Sequence, residues 1–303
     1  MMNCCFIFSG QGSHRPGMGV NLYKNSSVAK SKIDLADSVL DYKISEIMFS
    51  DDEETLKKTI NAQVSIYIYS CILFDLTKDK NYSLVGVAGH SLGEFSALYA
   101  NGTYSFEDGL EIVKVRAKAM HECETKNKGK MSAVIGLEKD IIADACNNTD
   151  TQIANINSDQ QIVISGSEQS IDDVSDKLKS LGAKRIIPLN VSGAFHSKLM
   201  SGAKEELKKI ITEKTFHTPQ SPIISNYDGE KRNNIDDIKH ALIEQIDNPV
   251  LWNQSIKELG KISNNIVEIG PKKVLSGLVK KINESLHISS FNSYNDIREI
   301  NNV

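Results

Sequence analysis

The sequence lacks several things whose absence narrows its possible roles. It has no C-x-x-C pair and no group of histidines and cysteines at metal-ligand spacing; its cysteines, Cys4, Cys5, Cys71, Cys123 and Cys146, are odd in number and scattered. A disulfide scaffold or zinc module is therefore not expected, and reduced thiols are. There is no excess of positive charge: the formal net charge is -4, which is the wrong sign for neutralising nucleic-acid phosphates. No basic N-terminal region leads into an apolar stretch, and no uninterrupted apolar run approaches bilayer length. Neither secretion nor membrane insertion is expected, which leaves the cytoplasm as the expected location. There is no internal repeat and no low-complexity segment.

What is present is an ordinary globular composition, with 40% hydrophobic and 24% charged residues over 303 positions. This suffices for one large domain, with room for a smaller companion. Cys4 to Phe8 is a short apolar run stopping at Ser9-Gly10-Gln11-Gly12, a buried strand opening into a glycine-rich loop. Leu84 to Ala88 is another, ending at Gly89-His90-Ser91-Leu92-Gly93, after which Leu92 to Ala100 has helical character up to Asn101-Gly102. Ser105 caps a further helix, whose apolar row Phe106, Leu110, Val113, Ala117 and Met120 carries it to about His121. The polar stretch Glu122 to Lys130 then reads as a crossing into another unit.

From Ser132 the pattern is strand (Ala133 to Leu137), helix (Asp140 to Cys146), strand (Gln152 to Ile156), strand (Gln161 to Ser165), helix (Ile171 to Leu181), strand (Arg185 to Leu189). That β-α-β-β-α-β order predicts a ferredoxin-like subdomain. Alternation resumes with Ile223-Ile224, Ile235 to Ile246, Ile266 to Ile269 and Val274 to Ile282, so the expected organisation is a discontinuous α/β domain (1–125 and 192–303) interrupted by the subdomain (126–191).

Gly89-x-Ser91-x-Gly93 between a strand and a helix is the pattern of a nucleophile elbow, which exposes a serine hydroxyl and aims the Leu92 N–H at a developing oxyanion. The Gly10-Gln11-Gly12 loop fails as a dinucleotide motif, because Arg15 stands where the third glycine is needed. A second oxyanion donor at the Gln11 N–H accounts for it better. A serine needs a base. Of seven histidines, His196 stands out within the small-residue segment Val191 to Ser197, but spacing alone makes it only the favoured choice. His90, adjacent to the serine, reads as lining or packing. Arg116 places a guanidinium in an otherwise apolar helix row; it either receives a substrate carboxylate through a planar fork, or reaches water or pairs with Glu111 or Glu124.

These segments together resemble the malonyl-CoA:acyl-carrier-protein transacylase family, nearly end to end. The resemblance rests on Phe8 to Ser13 with Gly17-Met18-Gly19, on Ala62-Gln63, Gly89 to Glu94, Arg116, Ala154 to Ser158 and Val163 to Gly166. It continues through Ser192 to Ser197, Ser225-Asn226, Gln245 with Pro249-Val250 and Trp252, and Glu268 to Pro271 with Val274-Leu275. Departures are Ser9 and Lys198, where proline is usual, and His14, where glutamine is.

The resemblance implies an α/β-hydrolase-like large domain around a parallel sheet, with the ferredoxin-like unit inserted. It implies Ser91 as nucleophile, His196 as base, Gln11 and Leu92 as oxyanion hole, and Arg116 as the site of the malonyl carboxylate. A backbone carbonyl near Gln245 would orient the imidazole, and Gln63, His90, Asn155, Phe195 and Gln245 would line the substrate site. The implied partners are malonyl-CoA and an acyl carrier protein bearing phosphopantetheine. The implied enzyme is a monomer without metal or other cofactor, acting on neither nucleic acid nor membrane. An acyl hydrolase of the same fold is the alternative.

Overall fold

A computed structural model describes residues 1–78 and 80–299. Its strands are β1 (Met2–Phe8), β2 (Tyr82–Gly89), β3 (Gly129–Ile135), β4 (Gln152–Ser158), β5 (Gln161–Ser167), β6 (Arg185–Pro188), β7 (Ile223–Ile224), β8 (Lys231–Arg232), β9 (Asn265–Ile269) and β10 (His287–Phe291). They form a six-stranded sheet in the order β10-β9-β1-β2-β7-β8 and a four-stranded sheet in the order β4-β5-β3-β6. The larger sheet is parallel apart from its β7–β8 edge pair. The smaller is antiparallel, and its strand order is that of a ferredoxin-like unit.

β1 explains the two-sided core. Cys4 to Phe8 are all buried because helices cover both faces of a parallel sheet. Phe6 and Phe8 point into one apolar cluster with helix Thr59–Thr77, while Cys5 and Ile7 point into another with Trp252, Ile256, Leu259 and Val279, as the two-residue strand period requires. Helix Thr59–Thr77 lies inside the molecule, with both its apolar residues and its Gln63 and Ser65 buried.

The helix capped by Ser105 runs from Phe106 to Lys126 and does not stop near His121. The charged residues after Met120 do not break it, because Cys123 and Glu124 continue its buried face while Glu122 and Thr125 remain at the surface. The crossing to the small sheet therefore takes only the few residues before Gly129. The segment read as helical from Val274 is helical only from Ser276. Glu268 sets that start: its buried carboxylate accepts the N–H groups of Val274 at 2.7 Å, Leu275 at 2.7 Å and Ser276 at 2.9 Å, along with the Ser276 hydroxyl.

Replacing Glu268 by alanine strands these donors in a buried site. The expected loss is about 3 kcal/mol of unfolding free energy, read as a shifted denaturant midpoint; an unchanged midpoint would contradict the assignment.

Candidate active site

β2 ends at Gly89, and the chain turns through Ser91, whose backbone is left-handed at φ 52°. A Cβ on Gly89 would lie 1.9 Å from the Gly93 carbonyl carbon, and one on Gly93 would lie 2.0 Å from the Phe8 oxygen. The two glycines of the elbow are thus required for the turn to close on itself and against β1. Asn226, just past β7, braces the turn from below. Its Oδ1 accepts the Ser91 N–H at 2.7 Å, and its Nδ2 donates to the Gly89 carbonyl at 2.7 Å.

His196 comes from the segment that returns from the small sheet, and it too is left-handed, at φ 56°. Its Nδ1 lies 2.9 Å from the backbone carbonyl of Gln245, an acceptor only, so Nδ1 carries the proton. The lone pair at Nε2 therefore faces the Ser91 hydroxyl, which donates to it across 2.8 Å. Gln152 on β4 clasps this segment: its Oε1 accepts the Lys198 N–H at 3.0 Å, and its Nε2 lies 3.4 Å from the His196 carbonyl and 3.3 Å from that of Asp247. Burial first, and the Arg116 charge second, hold the His196 imidazole down to about 3.

Arg116 is 1% exposed and points into the same site. Nη1 donates to Gln63 Oε1 at 2.5 Å, and Nη2 donates to Gln245 Oε1 at 2.9 Å and to Ser91 Oγ at 3.0 Å. The guanidinium sits over the Phe95 ring, 5.1 Å from its centroid. The two carboxylates left open as partners are engaged elsewhere: Glu111 pairs with Lys214, and Glu124 accepts from Thr59, Ser192 and His121. Among the described residues no carboxylate forms a direct ion pair with Arg116, and burial lowers it to about 9 against the opposing influence of Glu94.

Gly10, the neighbour of Gln11, packs against the elbow, where a Cβ on it would lie 2.2 Å from the His90 oxygen and 3.7 Å from the Leu92 nitrogen. Among the described residues the backbone N–H groups of Gln11 and Leu92 have no acceptor outside regular helix and strand bonding. A cavity of 680 Å³ opens on the Gln11 side, lined also by His14, Lys58, Glu124, Ser192 and Lys272. Its wall contains none of Ser91, His196 or Arg116, so it is not the pocket that holds the reacting groups.

The remaining candidates divide. Gln63 and Gln245 hold Arg116. Phe195, next to the base, is 6% exposed. His90 Nε2 lies 2.9 Å from Asn157 Oδ1, and its ring meets Trp252 edge-on at 5.4 Å, so it faces the small sheet and packs. Asn155 lies opposite Val250 in a bridge whose hydrogen bonds are made by the backbones of Ala154 and Ile156, and its side chain enters no hydrogen bond among the described residues. Sequence reasoning assigned no task to Glu94, Asn226 or Gln152. The first two lay within recognised segments, Gly89 to Glu94 and Ser225-Asn226, and nothing local marked Gln152.

Because His196 is held far below the ordinary imidazole range, its base form persists where a solvated histidine would be protonated. Labelling of Ser91 by an uncharged acylating probe should stay level from about pH 7 down to about pH 5. A fall centred near the ordinary histidine value would show that the burial argument fails.

Comparisons with known proteins show the family. The family model of the acyl transferase domain matches residues 5–296. The malonyl CoA-acyl carrier protein transacylase of Bacillus subtilis is 39% identical over 292 residues, covering 94% of this chain and 92% of its own length. That of Staphylococcus aureus is 37% identical, covering 98% of both chains. The crystal structure of the Synechocystis malonyl-CoA:ACP transacylase superimposes with a TM-score of 0.91 at 36% identity, covering 99% of this chain and 100% of that one. The malonyl-transacylase PlMCAT, solved in complex with its type II PKS acyl-carrier protein, reaches 0.94 at 31% identity and covers 100% of both. The chain belongs to the acyl transferase family and, within it, to the malonyl CoA-acyl carrier protein transacylases.

Proposed function

We propose that this enzyme transfers a malonyl group from malonyl-CoA to the phosphopantetheine thiol of an acyl carrier protein, with malonyl-Ser91 as intermediate. The observation that carries the reading is the buried guanidinium of Arg116, which has only neutral hydrogen-bond partners and touches the nucleophile itself. A substrate carboxylate is the group that would complete it.

The steps follow from the hydrogen bonds. The Ser91 hydroxyl proton passes to His196 Nε2 as Oγ attacks the thioester carbon, and the N–H groups of Gln11 and Leu92 receive the oxyanion. The carbon–sulfur bond breaks, and the proton on Nε2 leaves with the CoA thiol. The carrier thiol then gives its proton to Nε2 and attacks the ester carbon. The carbon–oxygen bond breaks, and the proton returns to Ser91. Proton transfers among hydroxyl, imidazole and thiol balance both halves, so no metal or redox group is assigned a step.

Arg116 depresses the His196 imidazole, so a malonyl carboxylate on Arg116 offsets that charge and makes the base stronger when the right acyl group is bound. Selectivity then enters the chemical step as well as binding. Phe195, buried beside the base, fills space that an α-substituted malonyl group would need.

For docking an acidic carrier protein, Lys204 and Lys209 are spent on Glu244, Asp247 and Glu206. Lys272, Lys273 and Lys281 are exposed and form no ion pair among the described residues, and Lys272 also lines the cavity beside Gln11. We place the enzyme in the cytoplasm as a monomer that binds neither nucleic acid nor membrane. The net charge of -4 is the wrong sign for nucleic acid, and no helix among the described residues is long and apolar enough to cross a bilayer.

Intact-mass analysis should show a malonyl adduct on the enzyme after mixing with malonyl-CoA, absent in Ser91→Ala. The adduct should pass to added holo carrier protein; its release as free malonate would favour a hydrolase. Arg116→Ala should lower kcat/KM for malonyl-CoA by about 100-fold, the factor expected for a lost charge-assisted pair of ~3 kcal/mol. Acetyl-CoA turnover should change far less, and an unchanged malonyl-to-acetyl ratio would refute the clamp.

A further inference from the structure

The mechanism gives no task to the carboxylate of Glu94, yet this side chain is 2% exposed and begins the helix Gly93–Ala100 that leads away from the nucleophile. Its short contact is with the Gln245 amide, whose Nε2 donates to Glu94 Oε2 at 2.6 Å and to the Ser91 carbonyl at 3.0 Å. The other end of that amide, Oε1, accepts from Arg116 Nη2 at 2.9 Å. The Asn226 N–H lies 3.3 Å from each carboxylate oxygen. An ionised carboxylate can only accept and a guanidinium can only donate. The two charges therefore meet opposite ends of one amide, and only one of its two orientations satisfies both. Turned over, the amide would set NH2 against guanidinium and oxygen against carboxylate, breaking two buried bonds.

We propose that Glu94 is a positioning residue for the malonyl group: its carboxylate fixes the orientation of the Gln245 amide, and through it holds the Arg116 guanidinium against Ser91. The inference rests on the reading of Arg116 as the malonyl clamp. Glu94 touches no reacting atom; its short bond is to Gln245, and it also accepts from the Asn226 N–H. Its ionised form also favours the charged guanidinium, one amide removed, while the fork's own hydrogen-bond partners stay neutral.

The charged groups acting on Glu94 are Arg116 from helix Phe106–Lys126, which favours its ionised form, and Asp228 beyond β7, which opposes it. Burial is the largest influence and raises the carboxyl to about 7; the bonds from Gln245 and Asn226 limit the rise. Below that value Glu94 gains an O–H and loses its charge, which weakens the Gln245 bond through which Arg116 is aimed. The other groups of the site titrate elsewhere, His196 at about 3 and Arg116 at about 9. A break near neutrality in malonyl recognition therefore belongs to Glu94.

The test compares the full-length wild-type enzyme with Glu94→Gln, which keeps the shape and removes the charge. KM and kcat are measured for malonyl-CoA and acetyl-CoA between about pH 5.5 and 8.5. Acetyl-CoA carries the same phosphates and lacks the carboxylate, so it removes titration of the substrate from the comparison. In the wild type, KM for malonyl-CoA should climb as the pH falls through about 7 while that for acetyl-CoA stays level. In Glu94→Gln, KM for malonyl-CoA should be raised about tenfold with no pH break, and acetyl-CoA values should stay within about twofold of wild type.

Equal losses for both substrates in the variant, or a wild-type malonyl profile without the break, would overturn the proposal. The wild-type profile decides even if the variant fails to fold. A wild-type enzyme that never forms malonyl-Ser91 would sink the transferase function itself; one that is malonylated but lacks the break rejects the role of Glu94 alone.

Discussion

A positive charge buried beside a neutral nucleophile is the constraint around which this site is arranged. Arg116 cannot reach water, and its fork is met by two amide oxygens and a hydroxyl, none of them charged. Neutral partners satisfy the N–H groups without cancelling the charge, so attraction for an anion is retained. The consequences spread outward. Helix Thr59–Thr77 is buried so deeply because it delivers Gln63, and Gln245 must present its backbone carbonyl to His196 and its side chain to Arg116 and Glu94 at once. One residue thereby sets both the tautomer of the base and the aim of the clamp.

That double duty ties the chemistry to the contact between the two sheets. Val250 lies a few residues beyond Gln245, and its N–H donates to the Ala154 carbonyl at 2.8 Å while its own carbonyl accepts the Ile156 N–H at 2.9 Å. β4 therefore extends its pairing across the boundary into the segment that carries Gln245. From the same strand Gln152 reaches the His196 loop. The small sheet does more than wall a cleft: it fixes the base relative to the serine, which itself rides on the large sheet. Ala154 and Ile156, on either side of Asn155, supply the backbone groups of this seam.

Much of this could be read from the chain because elbows and strand-helix alternation leave local marks. The apolar run before Gly89 and the small residues around Ser91 encode the turn that forms there, and Ser105 caps its helix through the Asp108 N–H at 3.0 Å. The order of the small sheet followed from the same periodicities. Helix Thr59–Thr77 was not legible, because a helix buried on every side has no polar face and hence no 3.6-residue signal. The extension of helix Phe106–Lys126 past His121 was not legible for the opposite reason: charged residues after Met120 mimic a break although Glu124 is bonded in the interior. What no pattern showed were pairings between distant segments, such as Glu94 with Gln245 or Ser91 with Asn226, since each depends on where the fold brings two polar side chains that are locally unremarkable.

The backbone at the two reacting residues completes the argument. Ser91 and His196 are both left-handed without being glycine, a conformation that costs roughly 1–2 kcal/mol at each. Neither would persist unless its surroundings determined it from several directions. Around Ser91 these are the Asn226 brace, the Gln245 bond to its carbonyl and the glycine contacts against β1. Around His196 they are the Gln245 carbonyl, the Gln152 clasp and the Ser197 hydroxyl bonded to the Ala194 carbonyl at 2.6 Å. Gln245 appears in both sets. The strain is therefore held by the same network that aims the hydroxyl, the imidazole and the guanidinium at one point.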